Sequence, residues 1–255
     1  MTAVTGRLAV VGLGPGNPDQ RTPEATARLA AATDLVGYEP YLNMVPVAEG
    51  QRRHYFDNRE ESARARLAID LVAKGGDVVV VSSGDPGVFA MATAVIEELH
   101  LMGTPVPLTI VPGITAATAA AAALGAPLGH DFAVISLSDV LKPWPVVERR
   151  VDAAASADFV LAFYNPISKH RPWQLGRALE IVSGHRMAAT PVALARSVGR
   201  TGETMRIVAL GDVDPADVDM STVVIIGSST TRHFTDALGR AWMYTPRTYG
   251  DPSTA

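Results

Sequence analysis

The sequence has no cysteine in its 255 residues, and this absence excludes several kinds of chemistry. Disulfide bridges, thiolate nucleophiles and cysteine-ligated metal sites all require that side chain. The histidines show no metal-ligand spacing either, so the sequence predicts no metal site. A chain without cysteine fits the reducing cytoplasm, and we expect a cytoplasmic protein.

Strong positive charge and long apolar runs are also missing. The net charge of −4 argues against a general nucleic-acid-binding protein. No apolar run approaches the roughly 18 residues that span a bilayer, and the first residues lack the apolar core of a signal peptide. We therefore expect neither nucleic acid nor a membrane as a partner. Hydrophobic residues make up 47% of the chain, which is enough for a sizeable core.

Apolar strand-like runs alternate with helix-like segments along the chain, a pattern typical of α/β proteins. We predict two α/β domains with a cofactor cleft between them. Their predicted bounds are an N-terminal domain at 1–124, a linker at 125–131, a C-terminal domain at 132–240 and a tail at 241–255. No segment of helix length separates the runs 205–210 and 222–226, so the second sheet is expected to be mixed or antiparallel there.

One predicted helix, at about 60–74, has an amphipathic pattern of apolar and charged residues. Ala65, Ile69 and Val72 share the face that is expected to be buried. The pattern places Arg64 and Arg66 off that face.

Two turns carry most of the information about function, and both follow an apolar β-branched run and open a helix-like segment. They are Ser82–Phe89 and Val111–Ala116. Turns of this kind lie at the carboxyl edge of a parallel sheet, where open α/β sheets bind ligands. Asp85 in the first turn suits a cationic group, such as an amine or a sulfonium, better than a phosphate. Because aspartate before proline is also common in turns, a purely structural role is the alternative.

The loop Gly12–Pro18 follows the first strand-like run and resembles a dinucleotide-binding loop only superficially. It lacks the third glycine of G-x-G-x-x-G, and Pro15 has no N–H to offer a pyrophosphate. The P-loop sequence is absent as well. The loop therefore favours a rigid turn over NAD or ATP binding.

Cations and aromatic residues are mixed in the segment Gln51–Arg59. Guanidinium groups bind carboxylates and stack on flat rings, so this segment is consistent with a flat, multiply anionic ligand. Lys142 and the run 169–171 add further positive charge. A solvated charged face is the alternative interpretation.

In combination, these motifs resemble the tetrapyrrole methylases over residues 7 to 232. The resemblance is carried by Val10–Gly16, Gly84–Pro86, Pro112–Ala116 and Val223–Gly227. Substrate-related segments outside those turns add to it, chiefly Gly37–Leu42, Leu128–Phe132, Ile135–Asp139, Leu141–Trp144 and Tyr164–Pro166. Enzymes of this family use S-adenosylmethionine and have two α/β domains in a fold unlike that of the Rossmann methyltransferases. The resemblance also implies a homodimer.

The resemblance implies a set of site residues for S-adenosylmethionine, or its product S-adenosylhomocysteine. Carried over by position, the cofactor contacts are Pro15, Ser83, Gly84, Asp85, Val88, Thr115, Ala116, Asn165 and Ala195. Many relatives have methionine where this chain has Asn165. The cations expected to bind the carboxylates of a tetrapyrrole are Arg52, Arg53, Arg59, Lys142 and Arg171.

The reaction that the resemblance implies is C-methylation of precorrin-3B at carbon 17, with ring contraction to precorrin-4, in cobalamin biosynthesis. Ring contraction requires a proton to leave a hydroxyl group, which calls for a general base. The candidates by chemistry are His54, Asp57, His130, Asp131 and Asp139.

Several alternatives stay open at this level. Within the family they are other corrin-ring methylases, including the cobalt-dependent anaerobic counterpart, uroporphyrinogen III methylase, diphthine synthase and a ribosomal RNA ribose methylase. Outside it, a non-catalytic α/β ligand-binding protein is possible. The segments 142–144 and 51–59 favour a tetrapyrrole. Binding of S-adenosylhomocysteine, but not of NAD or ATP, would distinguish a methylase from the non-catalytic alternative.

Overall fold

The computed structural model describes residues 6–249. The chain forms two compact units, Met1–Thr115 and Ala116–Ala255, which we call unit 1 and unit 2. In each described unit a five-stranded sheet forms the centre. Within residues 6–249, no helix is both long enough and apolar enough to cross a membrane.

Unit 1 contains a fully parallel sheet with helices on both faces. The strand order is β3-β2-β4-β1-β5. Its strands are β1 (Arg7–Gly12), β2 (Asp34–Tyr38), β3 (Arg52–Phe56), β4 (Asp77–Ser82) and β5 (Leu108–Val111). Its helices are α1 (Pro23–Ala31), α2 (Glu39–Leu42), α3 (Glu61–Ala73) and α4 (Met91–Met102). Helices α3 and α4 pack on one face of the sheet, and α1 and α2 pack on the other. Burial on both faces explains why β1 and β4 are continuous apolar runs.

Unit 2 contains a mixed sheet and a small three-stranded sheet. Its elements are α5 (Ala116–Leu124), β6 (Gly125–Ala126), β7 (Phe132–Ser136), α6 (Trp144–Ser156), β8 (Val160–Tyr164), α7 (Gln174–Ser183), β9 (Pro191–Arg196), β10 (Thr204–Ala209), β11 (Thr222–Ile226), β12 (Arg232–Thr235) and β13 (Ala241–Tyr244). The large sheet has the order β10-β9-β11-β8-β7. Only β7 and β8 pair in parallel, while β11 runs antiparallel to both β8 and β9. The mixed sheet expected around 205–226 is confirmed.

Both faces of the large sheet in unit 2 are covered. Helices α6 and α7 pack on one face around Phe163, Leu161 and Val224. The alanine-rich helix α5 packs on the other face, where Ala117 and Ala120 belong to the same buried cluster as strand residues such as Ala162 and Ala193. Small alanine side chains on both sides favour a close approach of the helix to the sheet.

The unit boundary differs from the predicted domain boundary. Helix α5 was expected to end the N-terminal domain, yet it packs within unit 2. The predicted linker begins with β6, and the predicted tail contains β13, which pairs in parallel with β6. An alanine-rich helix does not reveal in its sequence which sheet it covers, and strands this short show no alternation. The last part of the predicted tail, 250–255, lies outside the described residues.

The prediction for Arg64 is wrong, because its side chain is buried. Nη1 of Arg64 donates to Sδ of Met91 at 3.1 Å, and Nη2 donates to the carbonyl oxygen of Asp57 at 3.0 Å. Burial lowers the pKa of this guanidinium. The residue ties the loop after β3 to helix α4, a role that helical periodicity does not reveal. Arg66 is exposed as predicted and pairs with Glu98.

A buried carboxylate connects the amino ends of β2 and β3. Asp34 is fully buried and receives two hydrogen bonds from Arg52, both 2.8 Å long, while Nε2 of His54 lies 2.8 Å from its Oδ1. The bonds from Arg52 and then His54 hold the pKa of Asp34 well below its usual range, although burial acts in the opposite direction. Thr33 completes the group with a bond to Oδ2 of Asp34.

The lowered pKa of Asp34 predicts a specific dependence of stability on pH. The ionised carboxylate stabilises the fold above the ordinary aspartate pKa of about 3.9, and this contribution is lost as the pH falls below that value. We expect Asp34→Asn to cost about 3 kcal/mol at pH 7, because a buried pair is broken. The difference in the free energy of unfolding between Asp34→Asn and wild type, measured by urea denaturation, should be smaller at about pH 3 than at pH 7.

The matched control for this prediction is Asp70→Asn, which changes an exposed carboxylate on α3. Its effect at pH 7 should stay within about 0.5 kcal/mol. A constant difference between Asp34→Asn and wild type across the whole pH range would show that ionisation of Asp34 does not stabilise the fold.

Candidate functional site

Three turns meet at the carboxyl edge of the sheet in unit 1, after β1, β4 and β5. Their backbones touch at Gly12, Gly84 and Gly113. A Cβ atom on Gly113 would lie 2.2 Å from the carbonyl oxygen of Gly84 and 3.0 Å from Cα of Gly12. Real Cβ atoms do not approach other atoms so closely, so Gly113 leaves no room for a side chain. The turns after β1 and β4 are also bonded to each other, through Gly14 N–H to Gly84 O (3.1 Å) and Gly84 N–H to Gly14 O (2.8 Å).

Asp85 connects the second of these turns to the third. Its Oδ1 accepts the N–H of Gly87 at 2.8 Å, and its Oδ2 accepts the N–H of Gly113 at 3.0 Å. The carboxylate therefore has the structural turn role that the sequence allowed. Each carboxylate oxygen has more than one lone pair, so the same group can also face a cation.

The cofactor positions predicted in unit 1 all lie on these three turns. Pro15 follows β1, Thr115 follows β5, and the others, Ser83, Gly84, Asp85 and Val88, follow β4. Pro15 and Gly84 are buried, whereas Ser83, Asp85, Val88 and Thr115 are partly exposed. The structure therefore brings together six positions from three separate segments of the sequence.

In unit 2, a tyrosine hydroxyl joins the end of β8 to the start of α5. The Tyr164 hydroxyl accepts the N–H of Ala117 at 2.6 Å, one of the amide groups that a helix start leaves without a partner. This bond places two predicted cofactor positions, Ala116 and Asn165, next to the bonded residues. Asn165 has a positive φ of 51° and donates from Nδ2 to the Ser136 hydroxyl at 3.0 Å.

Ala195, the remaining predicted cofactor position, is fully buried in strand β9. It pairs with Met205 of β10 on one side and with Val223 of β11 on the other. Its side chain belongs to the cluster beneath α5. No part of this side chain is accessible to a ligand, so the structure gives the assignment no support.

Two of the cations predicted to bind substrate have structural roles. Arg52 lies at the amino edge of the sheet, opposite the three turns, and binds Asp34. Arg53 donates to the carbonyl oxygens of Leu42 (2.8 Å), Val45 (2.9 Å) and Pro46 (2.6 Å), and so holds the segment after α2. A cluster of charges in a sequence does not show which edge of a sheet each side chain reaches. Arg59 differs from both, since it lies exposed in the loop after β3 with a φ of 71°.

The other two predicted substrate cations, Lys142 and Arg171, lie on loops at one edge of the sheet in unit 2. Arg171 is only 8% exposed, and it donates to the carbonyl oxygen of Asn165 at 2.9 Å and to Sδ of Met220 at 3.2 Å. Burial lowers the pKa of Lys142, and the positive charges of Arg150 and Arg171 lower it further. Arg150 was not predicted as a site residue. Its only signal in the sequence is a charge on an amphipathic helix, which solvation explains equally well.

The candidate bases occupy different environments. His54 lies within β3 and faces the buried Asp34, while His130 and Asp131 precede β7 at its amino end. Asp57 follows β3, and its Oδ1 accepts the N–H of Asn58 at 2.7 Å. Asp139 follows β7 at the carboxyl end, where its Oδ2 accepts a hydrogen bond from Nε2 of Gln174 at 3.1 Å. Asp57 and Asp139 are thus the candidates located at carboxyl edges, where α/β sheets bind ligands.

Comparison with known proteins places this architecture in a family. The family model described as Tetrapyrrole (Corrin/Porphyrin) Methylases matches residues 7–214. The chain is a tetrapyrrole methylase by family. It is 49% identical over 253 residues to the precorrin-3B C(17)-methyltransferase of a Sinorhizobium species, covering 98% of this chain and 100% of that protein. The expected fold, different from that of the Rossmann methyltransferases, is confirmed by a crystal structure of the methyltransferase CobJ. That structure has a TM-score of 0.90 and 49% identity, covering 94% of this chain and 100% of the other.

A longer relative matches the tetrapyrrole methylase chain equally well. Cobalamin biosynthesis protein CobIJ of Mycobacterium tuberculosis is 52% identical over 257 residues. The match covers 99% of this chain but 50% of CobIJ, so the chain spans half the length of that protein. Among residues 6–249 the structure contains no group of histidine, aspartate and glutamate side chains that could hold a metal ion.

The contact between the three turns predicts that Gly113 tolerates no side chain. We expect Gly113→Ala to destabilise the protein by more than about 3 kcal/mol, because its Cβ meets backbone atoms that cannot rotate away. The matched control is Gly176→Ala in α7, where a Cβ meets nothing within 4 Å. That change should stabilise the protein by about 0.5–1 kcal/mol. Chemical denaturation measures both, and equal effects would disprove the close contact.

Proposed function

We propose that this tetrapyrrole methylase transfers a methyl group from S-adenosylmethionine to carbon 17 of precorrin-3B and promotes ring contraction to precorrin-4. The observation that carries the proposal is the set of three turns joined by Gly12, Gly84, Gly113 and Asp85. The named relatives support the choice of substrate, since they match over nearly the whole chain at about half identity.

The groups on the three turns fit S-adenosylmethionine, which supplies an electrophilic methyl group on a positively charged sulfur. Asp85 provides a carboxylate whose geometry is fixed by two backbone bonds. Ser83 and Thr115 are partly exposed hydroxyl residues on the same turns, and Pro15 on the first turn has no N–H group to offer a phosphate. A negative charge among hydroxyls and backbone groups suits an ammonium or a sulfonium better than a phosphate.

The contribution of these residues to methyl transfer is mainly one of position. Transfer of a methyl group from a sulfonium requires the accepting carbon to approach in line, and holding two reactants in that geometry removes much of the barrier. The turns suit this task because their backbones are in direct contact and cannot move independently. Positive charge disperses during the reaction, so exclusion of water favours it.

For the ring contraction we propose Asp139 as the general base. One of its oxygens, Oδ2, is held by Gln174, and this leaves Oδ1 to accept a proton from a substrate hydroxyl. The charge of Lys142 interacts with that of Asp139, so the two side chains belong to the same group of loop residues. Asp57 is the second candidate at a carboxyl edge, and it serves as the comparison in the experiment below.

We also propose that the chain is a homodimer. The two sheets of unit 2 have four edge strands within the described chain, β7 and β10 in the large sheet and β6 and β12 in the small one, and all four residues of β12 are exposed. Open edges commonly pair with another chain. Sedimentation measurements test this, with a monomer as the contradicting result. The cytoplasmic location stays a prediction.

The cofactor proposal is tested by calorimetric titration with S-adenosylhomocysteine. We expect a micromolar dissociation constant, about −8 kcal/mol. Asp85→Ala should weaken binding at least tenfold, because it removes the charge and loosens the turns. Asp70→Ala, which removes an exposed carboxylate on α3, is the control and should bind like wild type. Binding of NAD or ATP without S-adenosylhomocysteine would contradict the proposal.

The reaction proposal is tested by incubating precorrin-3B with S-adenosylmethionine and the protein. Methylation is followed by mass spectrometry, and ring contraction is followed by the absorption spectrum, because the contraction is a rearrangement that leaves the mass unchanged. We expect the mass of one added methyl group, and Asp139→Asn should still methylate while ring contraction slows by about 100-fold or more. Asp57→Asn should contract at the wild-type rate. The opposite result would make Asp57 the base. Methylation only of a cobalt-containing substrate would place the protein on the anaerobic route instead.

A further inference from the structure

We infer that the loops after β7 and β8 form a subsite for one carboxylate-bearing edge of the macrocycle, in which Lys142 and Arg150 bind a carboxylate and Leu141 and Trp173 contact the ring. The inference rests on the proposed function, and it names the part of unit 2 that recognises the substrate. Arg150, Leu141 and Trp173 are not among the site residues that the sequence predicts.

The two loops, 137–143 and 165–173, are fixed against each other. They follow β7 and β8, which are parallel neighbours, so both loops begin at the same edge of the sheet. Asn165 binds Ser136 at 3.0 Å, and Gln174 binds Asp139 at 3.1 Å. The rings of Trp144 and Trp173 meet edge to face with their centres 4.9 Å apart. Groups on the two loops therefore keep a fixed spacing, as a binding site requires.

Positive charge gathers at these loops without matching negative charge. Burial lowers the pKa of Lys142, the charges of the nearby Arg150 and Arg171 lower it further, and the carboxylate of Asp139 acts in the opposite direction. Within residues 6–249, neither Lys142 nor Arg150 forms a salt bridge with a carboxylate. Like charges held close together repel, and a bound anion relieves that repulsion.

Apolar side chains are exposed beside the cations. Leu141 is 97% exposed at the tip of the first loop, and Trp173 is 49% exposed at the end of the second. Val140 is also exposed. Burying such side chains in solvent-free contact is favourable, and an exposed indole offers a flat face to a flat ring. A ligand with an apolar face and a rim of carboxylates matches both features at once, whereas an inorganic anion matches only the charge.

Arg171 differs from the other two cations because it is buried and holds the loop itself. Its bonds to Asn165 and Met220 fix the loop after β8. We therefore assign it a positioning role, and its charge adds to the field at the subsite. Lys142 and Arg150 are the groups that contact the ligand.

The experiment is a fluorescence titration with uroporphyrin, a stable flat tetrapyrrole with carboxylates around its rim. We expect Lys142→Gln and Arg150→Gln each to raise the dissociation constant at least tenfold. Arg149→Gln is the matched control, because Arg149 is the exposed neighbour on α6 and points about 100° away around the helix. It should change the dissociation constant less than twofold. Leu141→Ser should weaken uroporphyrin binding several-fold. Because the Leu141 side chain is almost fully exposed, this substitution should not unfold the protein.

Titration of the same variants with S-adenosylhomocysteine separates this inference from the proposed function. We expect unchanged S-adenosylhomocysteine binding in all of them. If Lys142→Gln and Arg150→Gln bind uroporphyrin as tightly as the wild-type protein does, the subsite is overturned and the methyltransferase proposal is left intact. An equal loss in Arg149→Gln would also overturn it, because it would show attraction by net charge alone. A wild-type protein that binds uroporphyrin but not S-adenosylhomocysteine would overturn the proposed function and leave the subsite.

Discussion

The direct contact between the backbones at Gly12, Gly84 and Gly113 is the constraint on which the candidate cofactor site depends. It brings the ends of β1, β4 and β5 closer than any side chain permits, and Asp85 then bonds across the gap to Gly113. The parallel strand order is what makes this possible, because it places these three strand ends next to one another. The positions that a ligand can reach, such as Ser83 and Thr115, follow from this arrangement of the main chain.

Unit 2 achieves a similar grouping with side chains in place of glycines. Strands β7 and β8 run in parallel, so their following loops start together, and Tyr164, Gln174 and the Trp144–Trp173 pair then fix them. Strands β10 and β11 run in the opposite direction, so the loops that follow them lie at the other edge of the sheet. The two units thus have groups of different chemistry at these strand ends: a carboxylate with hydroxyls in unit 1, and cations with exposed apolar side chains in unit 2.

The sequence predicted the position of the turns correctly, but it did not predict which partners the charged side chains contact. The difference has a physical reason. A β-branched run followed by a glycine-containing turn and a helix specifies a local geometry, so the positions from Ser83 to Val88 were found correctly at one edge. The function of an arginine depends on which partner its long side chain reaches. Arg52 and Arg53, which were predicted to bind substrate, are bound to Asp34 and to main-chain carbonyls. Arg64, which was predicted to lie off the buried face of its helix, is buried. Helix α5 was assigned to the wrong unit because alanine packs equally well on either sheet.

The two opposite edges of the sheet in unit 1 are held together by different kinds of bonds. At the amino edge, Asp34 holds β2 and β3 together through side chains, and at the carboxyl edge the turns are held through the main chain. A surface shaped by main-chain atoms is already ordered before a ligand arrives, so binding there costs little conformational entropy. Its shape also depends little on the identity of the surrounding side chains. Loops elsewhere in such a protein can therefore change in sequence without altering the shape of this edge.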